Sequence, residues 1–195
     1  MNVYIIGEHL SGKTTVARAL AEEPNYHYIS GSGWLESTFR FPYPKENPFE
    51  FQEELFKFKV NRLIVDPYIV SDNILDIMNA VDSDHYVIDG LVNPKDFIHL
   101  FDYNEDVVVF LNRTDSPEDS KNYESIAINV IRDYCLYLAT VGLLPREKWL
   151  EYNFKIPGEE SDFVKQLGKH NLVTITRSIN RAILHLKGEL CKLQT

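Results

Sequence analysis

Cysteine, methionine and tryptophan are scarce in this 195-residue chain, with two of each. Cys135 and Cys191 lie far apart without metal-ligand spacing, so a disulfide scaffold is not expected. Cys135 sits in an apolar helical stretch and reads as a packing residue. Positive charge is also short. Lys and Arg number 20 against 29 Asp and Glu, a formal net charge of -9. An acidic surface opposes broad, sequence-independent binding to nucleic acid, whose affinity comes from neutralising phosphates. It leaves room for a local basic pocket that takes a small anion. Long apolar runs are missing too. The longest, near Tyr134–Leu144, is too short to span a bilayer. Val3–Ile6 is too short for a signal peptide, and a glycine loop interrupts it. A cytoplasmic location without membrane attachment is the expectation. There is no internal repeat, low-complexity tract or clear linker.

What is present describes an ordinary globule: 44% hydrophobic residues, 25% charged and 12% aromatic. A chain of this length suits one domain with a sizeable core, residues 1–195, with 31–66 as a possible acceptor-binding insertion. Asn2–Ile6 reads as a buried strand, and Lys13–Glu22 as a helix carried by Val16, Ala17 and Leu20. His27–Ile29 reads as a second short strand, followed by flexible Ser30-Gly31-Ser32-Gly33. Asn47-Pro48-Phe49-Glu50 is a helix start, with a cap, a first-turn proline and an acid. That helix should run to about Ile64, and another over Ser71–Val81.

His85–Asp89 is the third strand. Asn93-Pro94-Lys95-Asp96 repeats the cap-and-proline signal and opens a helix to about Phe101. Asp106–Leu111 is a strand whose continuous apolar character implies helices on both faces. Helical character follows from Ser116 to about Thr140. Leu172–Thr176 is expected to supply the fifth strand, and Ser178–Leu193 the last helix. Alternating strands and helices predict an α/β domain with a five-stranded parallel sheet.

The strongest motif is Gly7-Glu8-His9-Leu10-Ser11-Gly12-Lys13-Thr14. Its glycines let backbone N–H groups turn inward around phosphate oxygens, and the helix that follows adds its positive end. Lys13 is placed to reach the β- and γ-phosphates of ATP. The Thr14 hydroxyl suits Mg²⁺, and Thr15 can add a bond to the α-phosphate. Gly7, Ser11 and Gly12 complete the nucleotide-binding set, with His9 a loop filler or nucleotide neighbour. Asp89, which ends the third strand beside the loop, is the second candidate metal residue with Thr14.

The order of these pieces resembles the adenylate kinase-like family of nucleoside monophosphate kinases. After the loop, His27-Tyr28-Ile29-Ser30-Gly31-Ser32-Gly33-Trp34-Leu35-Glu36 is similar to that family's acceptor segment. Pro67-Tyr68-Ile69-Val70-Ser71-Asp72-Asn73-Ile74 resembles its helix start, and Tyr86-Val87-Ile88-Asp89-Gly90-Leu91 its acid-bearing third strand. The resemblance spans about half the chain and implies an ATP-dependent kinase with an α/β, three-layer P-loop NTPase sandwich and a helical lid region. It departs from the family at Trp34, where an acid stands, and at Val92-Asn93-Pro94-Lys95, where Pro-Arg stands. The family's arginine-rich lid is not clearly matched.

Transfer of a phosphoryl group needs cations. Arg113 after the fourth strand and Arg132 on the next helix are catalytic candidates with Lys13 and Asp89. Arg146, Lys148 and Lys155 fall in 142–160, a proline- and glycine-punctuated span read as a candidate lid. On the acceptor side stand Ser32, Trp34, Lys95 and Arg40. Arg40 and its aromatic neighbours serve either a nucleotide or a packed hinge, and Trp34 either lines a base pocket or packs. A hydroxyl acceptor would want a base, and Glu36 and Asp66 are the available acids. The first reading is a nucleoside or deoxynucleoside monophosphate kinase. The alternatives are a P-loop kinase for a hydroxyl, such as a nucleoside or a hydroxymethylated base in DNA, and a non-kinase nucleotide-binding switch. The guanine-reading Asn-Lys-x-Asp of GTPase switches is absent.

Overall fold

A computed structural model describes residues 1–8, 11–39, 48–113, 123–154 and 183–193. The elements are β1 (Val3–Gly7), α1 (Lys13–Leu20), β2 (Tyr26–Ser30), α2 (Gly31–Thr38), α3 (Pro48–Val65), α4 (Ile69–Ala80), β3 (His85–Asp89), α5 (Pro94–Leu100), β4 (Val107–Arg113), α6 (Tyr123–Thr140) and β5 (Trp149–Phe154). A short 3-10 turn, Arg146–Lys148, precedes β5, and residues 183–193 are helical (α7).

The five strands form one sheet in the order β2-β3-β1-β4-β5, with every pairing parallel. Both faces are covered, because side chains alternate sides along a strand. Tyr4, Ile6, Ile88, Val108 and Phe110 pack on one side with Leu35 of α2, Val70 and Ile74 of α4, Phe97 of α5 and Ile131 and Cys135 of α6. Val3, Ile5, Val87, Val107, Val109 and Leu111 pack on the other with Val16, Ala17 and Leu20 of α1 and Ile183, Leu186 and Leu190 of α7. Cys135 is fully buried, as a packing role requires, and burial pushes its thiol up to about 12.

The hydroxyl of fully buried Tyr4 is satisfied. The Tyr4 hydroxyl donates to the Leu100 carbonyl at 3.0 Å, while its ring meets Phe97 and Phe101 edge-on. At the amino end of the sheet, Asp106 accepts the N–H groups of Asn2 (2.7 Å) and Asp102 (3.1 Å).

Two elements depart from the sequence reading. Ser30-Gly31-Ser32-Gly33, expected to be a flexible loop, starts α2, because the Ser30 side chain caps the helix by accepting the Gly33 N–H at 3.1 Å. A good cap and burial of Gly31 and Leu35 outweigh the poor helix propensity of glycine. The fifth strand is Trp149–Phe154, paired with β4 from Val108↔Trp149 to Arg113↔Phe154. It therefore occupies part of the span read as a lid, whereas Leu172–Thr176 lies outside the described residues. An edge strand carrying Glu151 and Asn153 has no continuous apolar run, which is why it escaped notice.

Candidate functional site

β1 is central, with β3 on one side and β4 on the other, so the chain leaves its carboxyl end where the strand order reverses. Crevices for ligands open at such a point. The sequence there is Gly7 at the strand end, then the loop, then α1. Gly7 must be glycine for reasons of space: a Cβ on it would lie 2.5 Å from the Leu111 carbonyl oxygen and 2.6 Å from Ser11 Oγ. The loop enters α1 through Gly12 at φ 85°. Val16 N–H makes the first helical bond, to Gly12 O at 3.0 Å. The N–H groups of Lys13, Thr14 and Thr15 precede that bond, and Gly12 has no side chain with which to cap them. Donors arranged in this way suit an anion.

The Glu8 carbonyl organises the loop. It accepts the Ser11 N–H at 3.1 Å and the Lys13 ammonium at 2.5 Å. The Glu8 carboxylate accepts the Ser125 hydroxyl of α6 at 3.0 Å, tying the loop to that helix. Ser11 Oγ is buried and has no hydrogen-bond partner among the described residues.

Below the loop lies Asp89. Its place is set by register, Ile5↔Asp89 and Ser30↔Asp89, at the carboxyl end of the sheet. Asp89 is 1% exposed. A buried carboxylate is costly unless donors meet it, and two do. Thr14 Oγ1 donates to Oδ2 at 2.7 Å, and the Tyr28 hydroxyl donates to Oδ1 at 3.0 Å. The pair of hard oxygen donors, Thr14 and Asp89, fits a magnesium ion that keeps most of its ligands as water and phosphate. No cluster of three or more His, Cys, Asp or Glu that would hold a metal occurs among the described residues.

The segment expected to serve the acceptor is brought against the phosphate-loop side at Gly90. This residue has φ +73°, and a Cβ on it would lie 2.5 Å from Ser32 Oγ and 2.8 Å from Ser32 N. The first turn of α2 therefore packs directly on the residue after Asp89. Trp34, on α2, is partly buried and packs against the core. Lys95 is exposed at the start of α5, where its N–H is capped by Asn93 at 3.2 Å. The wall behind is held by two further bonds. Asn93 Nδ2 donates to the Pro67 carbonyl at 2.7 Å, and the Ser71 N–H donates to buried Asp96 at 2.9 Å. Burial pushes the Asp96 carboxyl above the usual range, against the pull of the bonds from Ser71 and Asn93.

The other sequence candidates are placed as follows. Arg132 is engaged: its guanidinium donates to Asn112 and Asn129, pairs with Glu151 at 3.3 Å and lies over the Phe110 ring. Arg146 and Lys148 lie at the opposite end of the sheet. Arg146 donates to the carbonyl of Trp149, the first residue of β5, and Lys148 to that of Asn104, ahead of β4. Neither meets the phosphate loop, so the span 142–148 does not bring cations to it. Arg113 ends β4, and nothing is described of its side chain. His9, Arg40 and Lys155 lie outside the described residues. The two acids considered as bases are also occupied. Glu36 accepts Lys59 of α3 at 2.6 Å, and Asp66 accepts the Tyr68 N–H at 3.0 Å in the turn before α4.

Sequence reasoning missed Tyr28, Glu8 and Ser125. A signal existed for Tyr28, which lies two residues before the end of β2. Only the β2–β3 register reveals that it shares a sheet face with Asp89.

Strand order, glycine loop and acid at the end of β3 together match the P-loop NTPase type of α/β fold. No protein-family model matches the sequence, and no curated protein matches it. Among solved structures, the chain is similar to a shikimate kinase from Aquifex aeolicus, with 14% identity, a TM-score of 0.40 and coverage of 98% of this chain and 99% of that one. It is similar to a deoxyadenosine kinase from M. mycoides with bound dATP, with 16% identity, a TM-score of 0.38 and coverage of 92% and 100%. A shikimate kinase from Acinetobacter baumannii in complex with shikimate gives 15%, 0.35, 90% and 93%. No helix among the described residues is long and apolar enough to cross a membrane.

Proposed function

We propose that this protein is an ATP-dependent phosphotransferase, and that its acceptor is a nucleoside or deoxynucleoside monophosphate. The observation that carries the reading is the bond from Thr14 Oγ1 to Asp89 Oδ2 at 2.7 Å, directly after Lys13 at the start of α1. The loop and Lys13 would bind the donor's phosphates, while Thr14 and Asp89 would hold Mg²⁺. The metal, when bound, neutralises charge on the phosphate oxygens. An acceptor phosphate oxygen then forms a bond to the γ-phosphorus as the bond to the β–γ bridging oxygen breaks. ADP leaves, and the acceptor becomes a diphosphate. Lys13 stabilises charge on the transferred group throughout.

The choice of a phosphate over a hydroxyl acceptor rests on the acids. A phosphate is already anionic and needs no base, whereas a hydroxyl acceptor is helped by one. Glu36 and Asp66, the acids near the acceptor segment, are committed to Lys59 and to the Tyr68 turn. The test is incubation with γ-labelled ATP and a panel of monophosphates, nucleosides and hydroxymethylated DNA. Label is expected on a monophosphate. Label on a hydroxyl acceptor would replace the acceptor assignment, and label on none, with nucleotide still bound, would sink the kinase reading.

A further inference from the structure

We propose that Tyr28 is a positioning residue for the metal pair, with its hydroxyl holding the Asp89 carboxylate so that Oδ2 faces Thr14. The inference rests on the reading of Thr14 and Asp89 just given and extends it to a third side chain.

The backbone sets the arrangement. Tyr28 pairs with Val87 in the parallel β2–β3 register, and Asp89 lies two residues beyond Val87 on the same face. The two side chains are therefore diagonal neighbours, a separation that a tyrosine can span. The hydroxyl reaches Asp89 Oδ1 at 3.0 Å. From the other side, the Arg18 guanidinium lies 5.6 Å from the centre of the Tyr28 ring. Arg18 is one helical turn beyond Thr14 on α1, so one face of that helix supplies both the Thr14 hydroxyl and the group against the ring. Asp89 is thus held at each oxygen by one donor, Thr14 at Oδ2 and Tyr28 at Oδ1, with almost no contact with solvent.

The consequence is directional. A buried carboxylate with one donor removed retains an unsatisfied oxygen and turns to find a partner. Turning Asp89 would move Oδ2 away from the Thr14 hydroxyl and spoil the pair that serves Mg²⁺. Groups that orient a ligand of a metal typically matter to affinity by about 10- to 100-fold. The Glu8 carbonyl that shapes the phosphate loop accepts from Ser11 and Lys13 rather than from Tyr28, so metal-free nucleotide binding should be indifferent to the Tyr28 hydroxyl.

The test is Tyr28→Phe, which keeps the ring and its packing and removes only the hydroxyl. Binding of a fluorescent ATP analogue is measured in Mg²⁺ and in EDTA, alongside a thermal melt. The variant should bind as the wild type does in EDTA and lose about tenfold in Mg²⁺. An equal gain from Mg²⁺ in both proteins would overturn the proposal. A cycle with Asp89→Asn gives a second measurement. If Tyr28 acts through Asp89, Tyr28→Phe should cost nothing further in the Asp89→Asn background, and additive losses would refute it. No gain from Mg²⁺ in the wild type would bring down the metal-pair reading and this proposal together. A Mg²⁺ gain in the wild type that Tyr28→Phe abolishes, without transfer to any acceptor, would remove the kinase reading and leave Tyr28 in place.

Discussion

The carboxyl end of the sheet, the proposed donor end, and the helical wall beside it use polar side chains for opposite purposes. At the donor end they converge: Thr14 and Tyr28 both point at one buried carboxylate, and Lys13 folds onto the loop that precedes it. In the wall formed by α2, α3, α4 and α5 they are dispersed. Ser30 caps α2, Asn93 and Asp96 fasten the start of α4, and Lys59 pairs with Glu36 between α3 and α2. Convergence suits the proposed site for ligand chemistry, whereas the dispersed bonds stabilise the helices of the wall. The difference explains why the proposed donor rests on a few convergent side chains, while the proposed acceptor rests on which groups are already committed.

The largest expected effect falls on the convergent side. Lys13→Ala should lower phosphoryl transfer by about a hundredfold or more, by the scale of losses when one group stabilising transition-state charge is removed. Its melting temperature should stay near that of the wild type. Retained transfer would break the comparison, because the donor end would then lack its central cation.

Gly90 joins the two regions, and Gly90→Ala tests the joint. The residue has φ +73° and Ser32 against it, so a methyl group meets both backbone strain and a clash. The cost should be about 1–3 kcal/mol in chemical denaturation. Nucleotide binding should suffer less than transfer, since α2 would be displaced while the loop is not. Loss of nucleotide binding alone would show that the acceptor helix is not set by this contact.

Asp96 gives the smallest effect and sharpens the wall side. Burial raises its carboxyl, so the folded state holds a proton that the unfolded chain has already released. Native protein then binds more protons than unfolded protein between the ordinary aspartate value and the raised one. Stability therefore falls as pH rises through that window. Asp96→Asn keeps an oxygen for the Ser71 N–H and removes the charge. Denaturation at several values from about pH 4 to 7 should give a flatter profile than the wild type. A residual slope belongs to Asp106, whose carboxyl burial also raises. Mg²⁺-dependent nucleotide binding should not change, and a change would place Asp96 in the site.

Much of this was legible beforehand. His85–Asp89 reads as a strand because its apolar run ends at an acid and a glycine, and the structure has those bounds. The α5 start was legible in Asn93-Pro94, since a cap and a first-turn proline act within a few residues. What lay beyond it was non-local. A helix position says nothing of Glu151 and Asn112 on neighbouring strands, the groups that engage Arg132. Arg146 and Lys148 looked promising because proline and glycine mark an irregular segment without telling which end of the sheet it serves.

The sequence by itself determined the phosphate loop, the neighbouring acid and the parallel α/β pattern, because these depend on backbone conformation and on periodicity over a few residues. Tertiary structure alone decided that β5 is Trp149–Phe154, that Ser30 begins a helix against Gly90, and that Tyr28 meets Asp89. Each of those follows from strand register and close packing between segments far apart in the chain, which no local run of residues encodes.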